Sequence, residues 1–254
     1  MNCSCIEEYP KELKFENRWD GIMNDINYIN VKDEIEGSDV LTTIIGGMLE
    51  KNTLHVLGLA TGGTMIPVYE KWVASSLDFS NVTTFNLDEY VGVAKENRNS
   101  YAYFMHEHLF DHKTFKEVNL LDGMAGDLEA ECARYEQLLN DKQLDLQLLG
   151  VGENGHIAFN EPGTPFDSTT HLAQLTEDTV TVNSRFFEEG ELVPNTALTM
   201  GIQSIMNAKK IVLLAFGERK RAAIAKLKKG EVDPNWPITK LLHHQDVTII
   251  TDLT

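Results

Sequence analysis

The sequence predicts an α/β fold: a Rossmann-like, doubly wound, mostly parallel sheet with helices on both faces. Three observations predict it. Five short runs rich in β-branched residues are apolar on both faces, which suits buried parallel strands. Segments with helical spacing separate several of these runs, and that alternation is the pattern of an α/β layer structure. Glycines, acids and a histidine then cluster just after the runs, where ligands bind in open α/β sheets.

The elements follow in order. Residues 1–50 read as a helical segment packed on one domain that spans 1–254. Leu54–Leu59 is the first strand, and Gly63–Ser75 is the helix after it. Val82–Leu87 is the second strand, followed by a helix over Ser100–Phe110 carrying Tyr101, Phe104, Met105 and Leu109. Asp127–Leu139 is an amphipathic helix with an acidic start. Leu144–Val151, Ile211–Phe216 and Val247–Thr251 are the remaining strands. Glu218–Lys228 is a helix with apolar positions at Ala222, Ile224, Ala225 and Leu227. There is no internal repeat, low-complexity tract or Pro/Ser-rich linker.

Composition narrows the partners. The 254 residues are 42% hydrophobic, enough for a sizeable core. Lys and Arg number 22 against 39 Asp and Glu, a formal charge of −17. Such a chain is repelled by nucleic acid and by anionic membrane surfaces. No run approaches the ~20 apolar residues of a membrane span, and Met1–Asp20 lacks the apolar stretch of a signal peptide. The expectation is a soluble, cytoplasmic protein. Cys3, Cys5 and Cys132 are odd in number and form no disulfide framework, so reduced thiols are expected.

The strand ends carry the chemistry. Ala60-Thr61-Gly62-Gly63-Thr64 joins the first strand to a helix. Paired glycines let a ligand approach the backbone, and helix N-terminal amides suit an anion such as a phosphate. It is neither a Walker loop nor G-x-G-x-x-G, and an ordinary tight turn reads the same way. Asp88-Glu89 closes the second strand, where a base could reach substrate and where a helix cap also fits. After Leu144–Val151, Gly152 to Pro162 places His156 in a glycine-containing loop with Glu161 five residues on. That pairs a proton shuttle with a carboxylate able to orient it. Arg185, amid apolar residues, and Lys220, beyond the fourth strand, are the side-chain types that hold phosphate. Alone, Lys220 also reads as part of a solvated helix face. His106, His108 and His112 invite a metal, but no Glu completes a zinc motif, and a structural role is preferred.

With these residues in place, the chain resembles the glucosamine-6-phosphate deaminase (isomerase) family. The matching segments are Leu57–Thr64, Phe85–Gly92, Gly150–Pro162 and Val182–Phe187, in that order, and similarity runs from about Leu54 to the C-terminus. The resemblance implies the fold type shared by that family and 6-phosphogluconolactonase. It also implies conversion of D-glucosamine 6-phosphate and water to D-fructose 6-phosphate and ammonia, with no cofactor and no metal. It implies a catalytic set of Asp88, Asn154, His156 and Glu161. His156 opens the sugar ring with support from Glu161, and Asp88 moves the C2 proton to C1 through an enolamine. Thr61, Gly62, Gly63, Thr64, Arg185 and Lys220 match the phosphate-holding positions.

Some features depart from the family pattern. Asn154 stands where many relatives carry Asp, and Ala60 replaces a common proline. Ser168–Gln174 lacks the basic residues of allosterically activated members, and the chain stops soon after its last strand. No activation by N-acetylglucosamine 6-phosphate is therefore expected. The expected partner is a small amino-sugar phosphate, not nucleic acid or membrane, for a monomer or homo-oligomer. The alternatives are a galactosamine-6-phosphate deaminase, a 6-phosphogluconolactonase and a sugar-phosphate-sensing regulatory domain. The last wants a basic recognition helix that the first 50 residues do not offer.

Overall fold

The computed structural model describes residues 26–184, 187, 191 and 193–253. Cys3, Cys5 and Arg185 lie outside the described residues. Two sheets organise the chain. The larger comprises β1 (Asn27–Asn30), β2 (Val56–Leu59), β3 (Thr83–Asn86), β5 (Glu117–Asn119), β6 (Leu146–Leu149), β9 (Ile211–Ala215) and β10 (Val247–Thr251). These seven strands are all parallel, in the order β1-β10-β9-β6-β2-β3-β5. The smaller sheet comprises β4 (Asp88–Tyr90), β7 (His171–Gln174) and β8 (Thr196–Thr199), antiparallel in the order β4-β8-β7.

The five strands expected from apolar runs are β2, β3, β6, β9 and β10. Their residues are buried on both faces: the adjacent pairs Leu148 and Leu149, Val212 and Leu213, and Ile249 and Ile250 are all sealed from solvent. Each such side chain contributes roughly 1.5–3 kcal/mol through burial. The helices are α1 (Glu34–Glu50), α2 (Ile66–Ala74), α3 (Tyr101–Met105), α4 (Leu128–Lys142), α5 (Glu177–Ser184), α6 (Ile202–Met206) and α7 (Arg221–Lys228). α1 packs on α2, and α4 lays Tyr135 edge-on against Phe85 at 5.6 Å.

Three expectations are corrected. The first 50 residues are not helical throughout, because Asn27–Asn30 pairs with Val247–Thr251 as an edge strand. Tyr28 and Ile29 supply its β propensity, but a four-residue strand that begins and ends in asparagine is too short for a periodic signal. Asp88 and Glu89 do not close the second strand. β3 ends at Asn86, and the pair opens β4 in the other sheet. On α7 the buried stripe is Ala223, Ile224 and Leu227, one position off the expected alanines. Among the described residues no helix is long and apolar enough to cross a membrane.

The larger sheet reverses direction at its centre. From β2 the chain builds outward to β3 and β5, then returns to β6 on the other side of β2 and builds out to β9 and β10. The loops after β2 and β6 therefore flank the switch point, where an open α/β sheet forms its ligand crevice.

Candidate active site

Two turns of one design edge this crevice. After β2, Gly62 takes φ 99°, and Gly63–Met65 makes a single 3-10 turn into α2. A Cβ at Gly62 or Gly63 would meet nothing, so the turn is open. Gly62 is required by its left-handed backbone rather than by crowding. Thr61 and Thr64 flank it, half-exposed. Buried Tyr69 fixes the approach by donating its hydroxyl to the Ala60 carbonyl. After β9, Gly217 takes φ 82°, and Glu218–Lys220 makes the same 3-10 turn into α7. β6 pairs with both β2 and β9, so these turns lie on either side of the loop that follows β6. Arg219 spans to that loop, 3.8 Å from the Glu153 carboxylate.

The loop after β6 is built around His156. The ring lies over Gly152, where an added Cβ would come within 2.2 Å of His156 Cε1. Gly152 N donates to His156 O at 2.9 Å and closes the loop. His156 Nδ1 faces Glu161 Oε2 at 3.5 Å, longer than an ordinary hydrogen bond, and makes none. Asn154 completes the group. Its Nδ2 donates to Glu161 Oε2 at 3.0 Å, and its Oδ1 accepts the His156 amide at 3.2 Å. Burial raises the Glu161 carboxyl, but His156 and the Thr179 and Asn154 side chains outweigh it and hold the group at about 2. Thr179 Oγ1 donates to Glu161 Oε1, and Thr176 Oγ1 does so at 3.3 Å.

Asp88 reaches the loop through Thr199. Asp88 pairs with Thr199 across β4 and β8, and Thr199 Oγ1 accepts the Phe159 amide at 3.2 Å. A series of backbone bonds fixes the frame. Leu87 N donates to Leu59 O, Met200 N to Leu87 O, and the Asn160 side chain to Met200 O at 2.8 Å. Burial pushes the Asp88 carboxyl up to about 8, and the neighbouring Glu89 charge adds to the rise. A carboxyl at that level is a competent base near neutral pH.

Glu89 does different work. Its Oε1 accepts the Tyr90 and Tyr101 amides and its Oε2 the Ala102 amide, so it anchors the start of α3 to β4. Burial lifts it to about 7 against those three bonds. The cap reading offered for the Asp88-Glu89 pair thus belongs to Glu89.

Of the expected site residues, Asn154, His156 and Glu161 touch one another. Asp88 pairs with Thr199, whose hydroxyl accepts the Phe159 amide in the same loop. Thr61–Thr64 and Lys220 stand on the neighbouring turns. The histidine cluster binds locally: His106 Nδ1 lies 2.8 Å from Asp111 Oδ1, and His112 Nε2 lies 3.0 Å from Glu107 O. Thr176, Thr179, Thr199 and Asn160 were not anticipated. Thr176 alone had a signal, a threonine just before Glu177 at a helix start.

The chain matches known proteins along most of its length. The family described as glucosamine-6-phosphate isomerases/6-phosphogluconolactonase matches residues 36–250. A glucosamine-6-phosphate deaminase of Listeria monocytogenes serotype 4b is 53% identical over 224 residues, 88% of this chain and 96% of that one. One from Streptococcus agalactiae serotype III is 51% identical over the same shares. A solved monomeric glucosamine-6-phosphate deaminase superposes with a TM-score of 0.86 at 41% identity, covering 89% of this chain and 97% of its own. A 6-phosphogluconolactonase from Thermotoga maritima, at 20% identity and a TM-score of 0.70 over 90% and 99%, shares the fold.

Proposed function

The chain belongs to the glucosamine-6-phosphate isomerase/6-phosphogluconolactonase family, and from that premise we infer that it is a glucosamine-6-phosphate deaminase. It converts D-glucosamine 6-phosphate and water to D-fructose 6-phosphate and ammonia. The observation that carries the reading is identity above 50% to enzymes of that name along nearly their whole length, whereas the lactonase shares only the fold. The site supports the same choice. Lactone hydrolysis moves no carbon-bound proton, but a deaminating isomerisation needs a base for C2, and buried Asp88 suits that step.

In this reading the phosphate binds the open Thr61–Thr64 turn with Lys220 and Arg185. Those contacts orient the sugar over the loop after β6. His156 accepts the O1 proton and returns one to the ring oxygen, which opens the pyranose. Glu161, ionised at about 2, stabilises the imidazolium formed on the way. Asp88 takes the C2 proton and delivers it to C1, so the enolamine becomes a C2 imine. Water adds at C2, and ammonia leaves.

The solved deaminase at 41% identity is described as monomeric, which supports a monomer here. A sugar phosphate dianion does not cross a bilayer unaided, which favours a cytoplasmic enzyme. The test is incubation with glucosamine 6-phosphate, galactosamine 6-phosphate or 6-phosphogluconolactone, measuring ammonia and ketose phosphate. Ammonia from the glucosamine substrate is expected. Absence of ammonia from both amino sugars overturns the reading.

A further inference from the structure

The loop after β6 is clasped by a segment that follows α7. Gly163 N donates to Pro234 O at 2.9 Å, and Ile238 N donates to Gly155 O at 2.9 Å. Between these bonds the Trp236 ring covers Gly155. A Cβ there would lie 2.6 Å from Trp236 Cε3, and Gly155 itself holds φ 84°. Further along, the Lys240 ammonium sits 5.4 Å over the Phe166 ring. The clasp is stiffened from within. Thr239 Oγ1 accepts the Asp233 amide at 2.8 Å and donates to the Trp236 carbonyl at 2.7 Å. Its other end is tied to α7 by the Lys226–Asp233 ion pair at 2.8 Å.

α7 begins directly after Lys220, and Gly155 directly precedes His156. The segment Asp233–Lys240 therefore joins the element carrying the phosphate cation to the loop carrying the proton shuttle. We propose that Trp236 is a positioning residue: through Gly155 it sets the placement of His156 relative to a sugar whose phosphate is held at Lys220. The proposal rests on the deaminase reading for its kinetic readout.

Two physical points favour it. Gly155 has no side chain to lock its backbone, and its surroundings here are the Trp236 ring and the Ile238 amide bonded to its carbonyl. Acid–base catalysis is also sensitive to placement, and a shift of about 1 Å can lower turnover on the order of 100-fold while leaving substrate binding intact. Trp236 meets the histidine loop at Gly155, so its loss is expected to act on turnover before phosphate binding.

The experiment uses the full chain with Trp236→Ala and Trp236→Phe. The alanine variant is expected to lower kcat at least about 10-fold. Its KM and its inhibition by inorganic phosphate should stay within about twofold of wild type, and the amides of residues 152–163 should exchange faster with solvent deuterium. The phenylalanine variant should restore most of the lost turnover. Trp236→Leu carries the same test if the alanine variant does not fold. Unchanged kcat, a loss confined to KM, or unchanged exchange in 152–163 overturns the proposal. Wild-type protein that releases no ammonia overturns the deaminase reading instead, and the exchange measurement then still decides whether the clasp holds the loop.

Discussion

Asn154 donates its side-chain amide to Glu161 Oε2 at 3.0 Å while its own oxygen accepts the His156 backbone N–H at 3.2 Å. An aspartate at this position could keep the second bond but not the first. It would set a carboxylate against one already ionised at about 2, and two such groups retain a proton between them. In Asn154→Asp we expect an additional carboxyl titrating well above the ordinary range, read by carbon NMR of labelled Asp and Glu. Turnover at pH 8 should stay within about 10-fold, since the His156 amide keeps its acceptor. Asn154→Ala loses both bonds, and its kcat should fall about 10- to 100-fold with KM little changed.

Gly152→Ala tests the seat of the histidine. The new Cβ would come within 2.2 Å of His156 Cε1, and the ring must leave because the Gly152 backbone is bonded to His156 O. A fall in kcat of at least about 100-fold is expected, the scale of a lost general acid–base group. Far-ultraviolet circular dichroism should show the fold retained. Turnover near the wild-type rate would mean the ring works from another place.

Lys220→Met tests the anion turn. A charge-assisted bond to phosphate contributes about 1.5–3 kcal/mol, which is about 10- to 100-fold in affinity. The variant should raise KM by that factor and weaken inhibition by inorganic phosphate to match, with kcat less affected. An unchanged inhibition constant would assign Lys220 to the solvated face of its turn.

Much of this site is legible in the sequence, and what is not has a physical reason. The central strands are buried on both faces and read as mainly apolar or β-branched runs, so the residues following them could be found. Asp88, His156 and Lys220 stand out because their chemistry is unusual at a strand end. The edge and antiparallel strands are three or four residues long, too short for a period to emerge. The division of labour between Asp88 and Glu89 was hidden because both are acids in one tripeptide, and only the pairing of β4 with β8 separates their surroundings. Thr179 and Thr199 are ordinary threonines in sequence. They matter through contacts 18 and 40 residues away in the chain.

Glu89→Ala should loosen α3 rather than the chemistry alone. The Tyr101 and Ala102 amides would lose their buried acceptor, a change that destabilises by about 1–3 kcal/mol. Urea unfolding should show the midpoint falling. Removing the Glu89 charge should also lower the Asp88 carboxyl, because that charge helps raise it. The acid limb of the pH–rate profile should therefore move to lower pH. A lower midpoint with an unmoved limb would leave Glu89 a purely structural cap.

Asp88 links catalysis to stability through its carboxyl at about 8, against an ordinary 3.8. Below pH 4 both folded and unfolded chains hold the proton, and the group has no effect on the balance. Between pH 4 and 8 the unfolded chain has ionised while the folded one has not. Folding therefore takes up a proton, and stability falls as pH rises, levelling off above 8. Asp88→Asn removes that penalty. The variant should be more stable than wild type at pH 8, by at least about 1 kcal/mol, since each tenfold change in proton affinity is worth roughly 1.4 kcal/mol. The two should converge near pH 4 in thermal unfolding. The same carboxyl must be ionised to take the C2 proton, so wild-type kcat/KM should fall about tenfold for each pH unit below 8. Asp88→Asn should lose C2 solvent exchange while still binding inorganic phosphate. Exchange at the wild-type rate, or a stability gain that persists at pH 4, would separate Asp88 from the role of buried base.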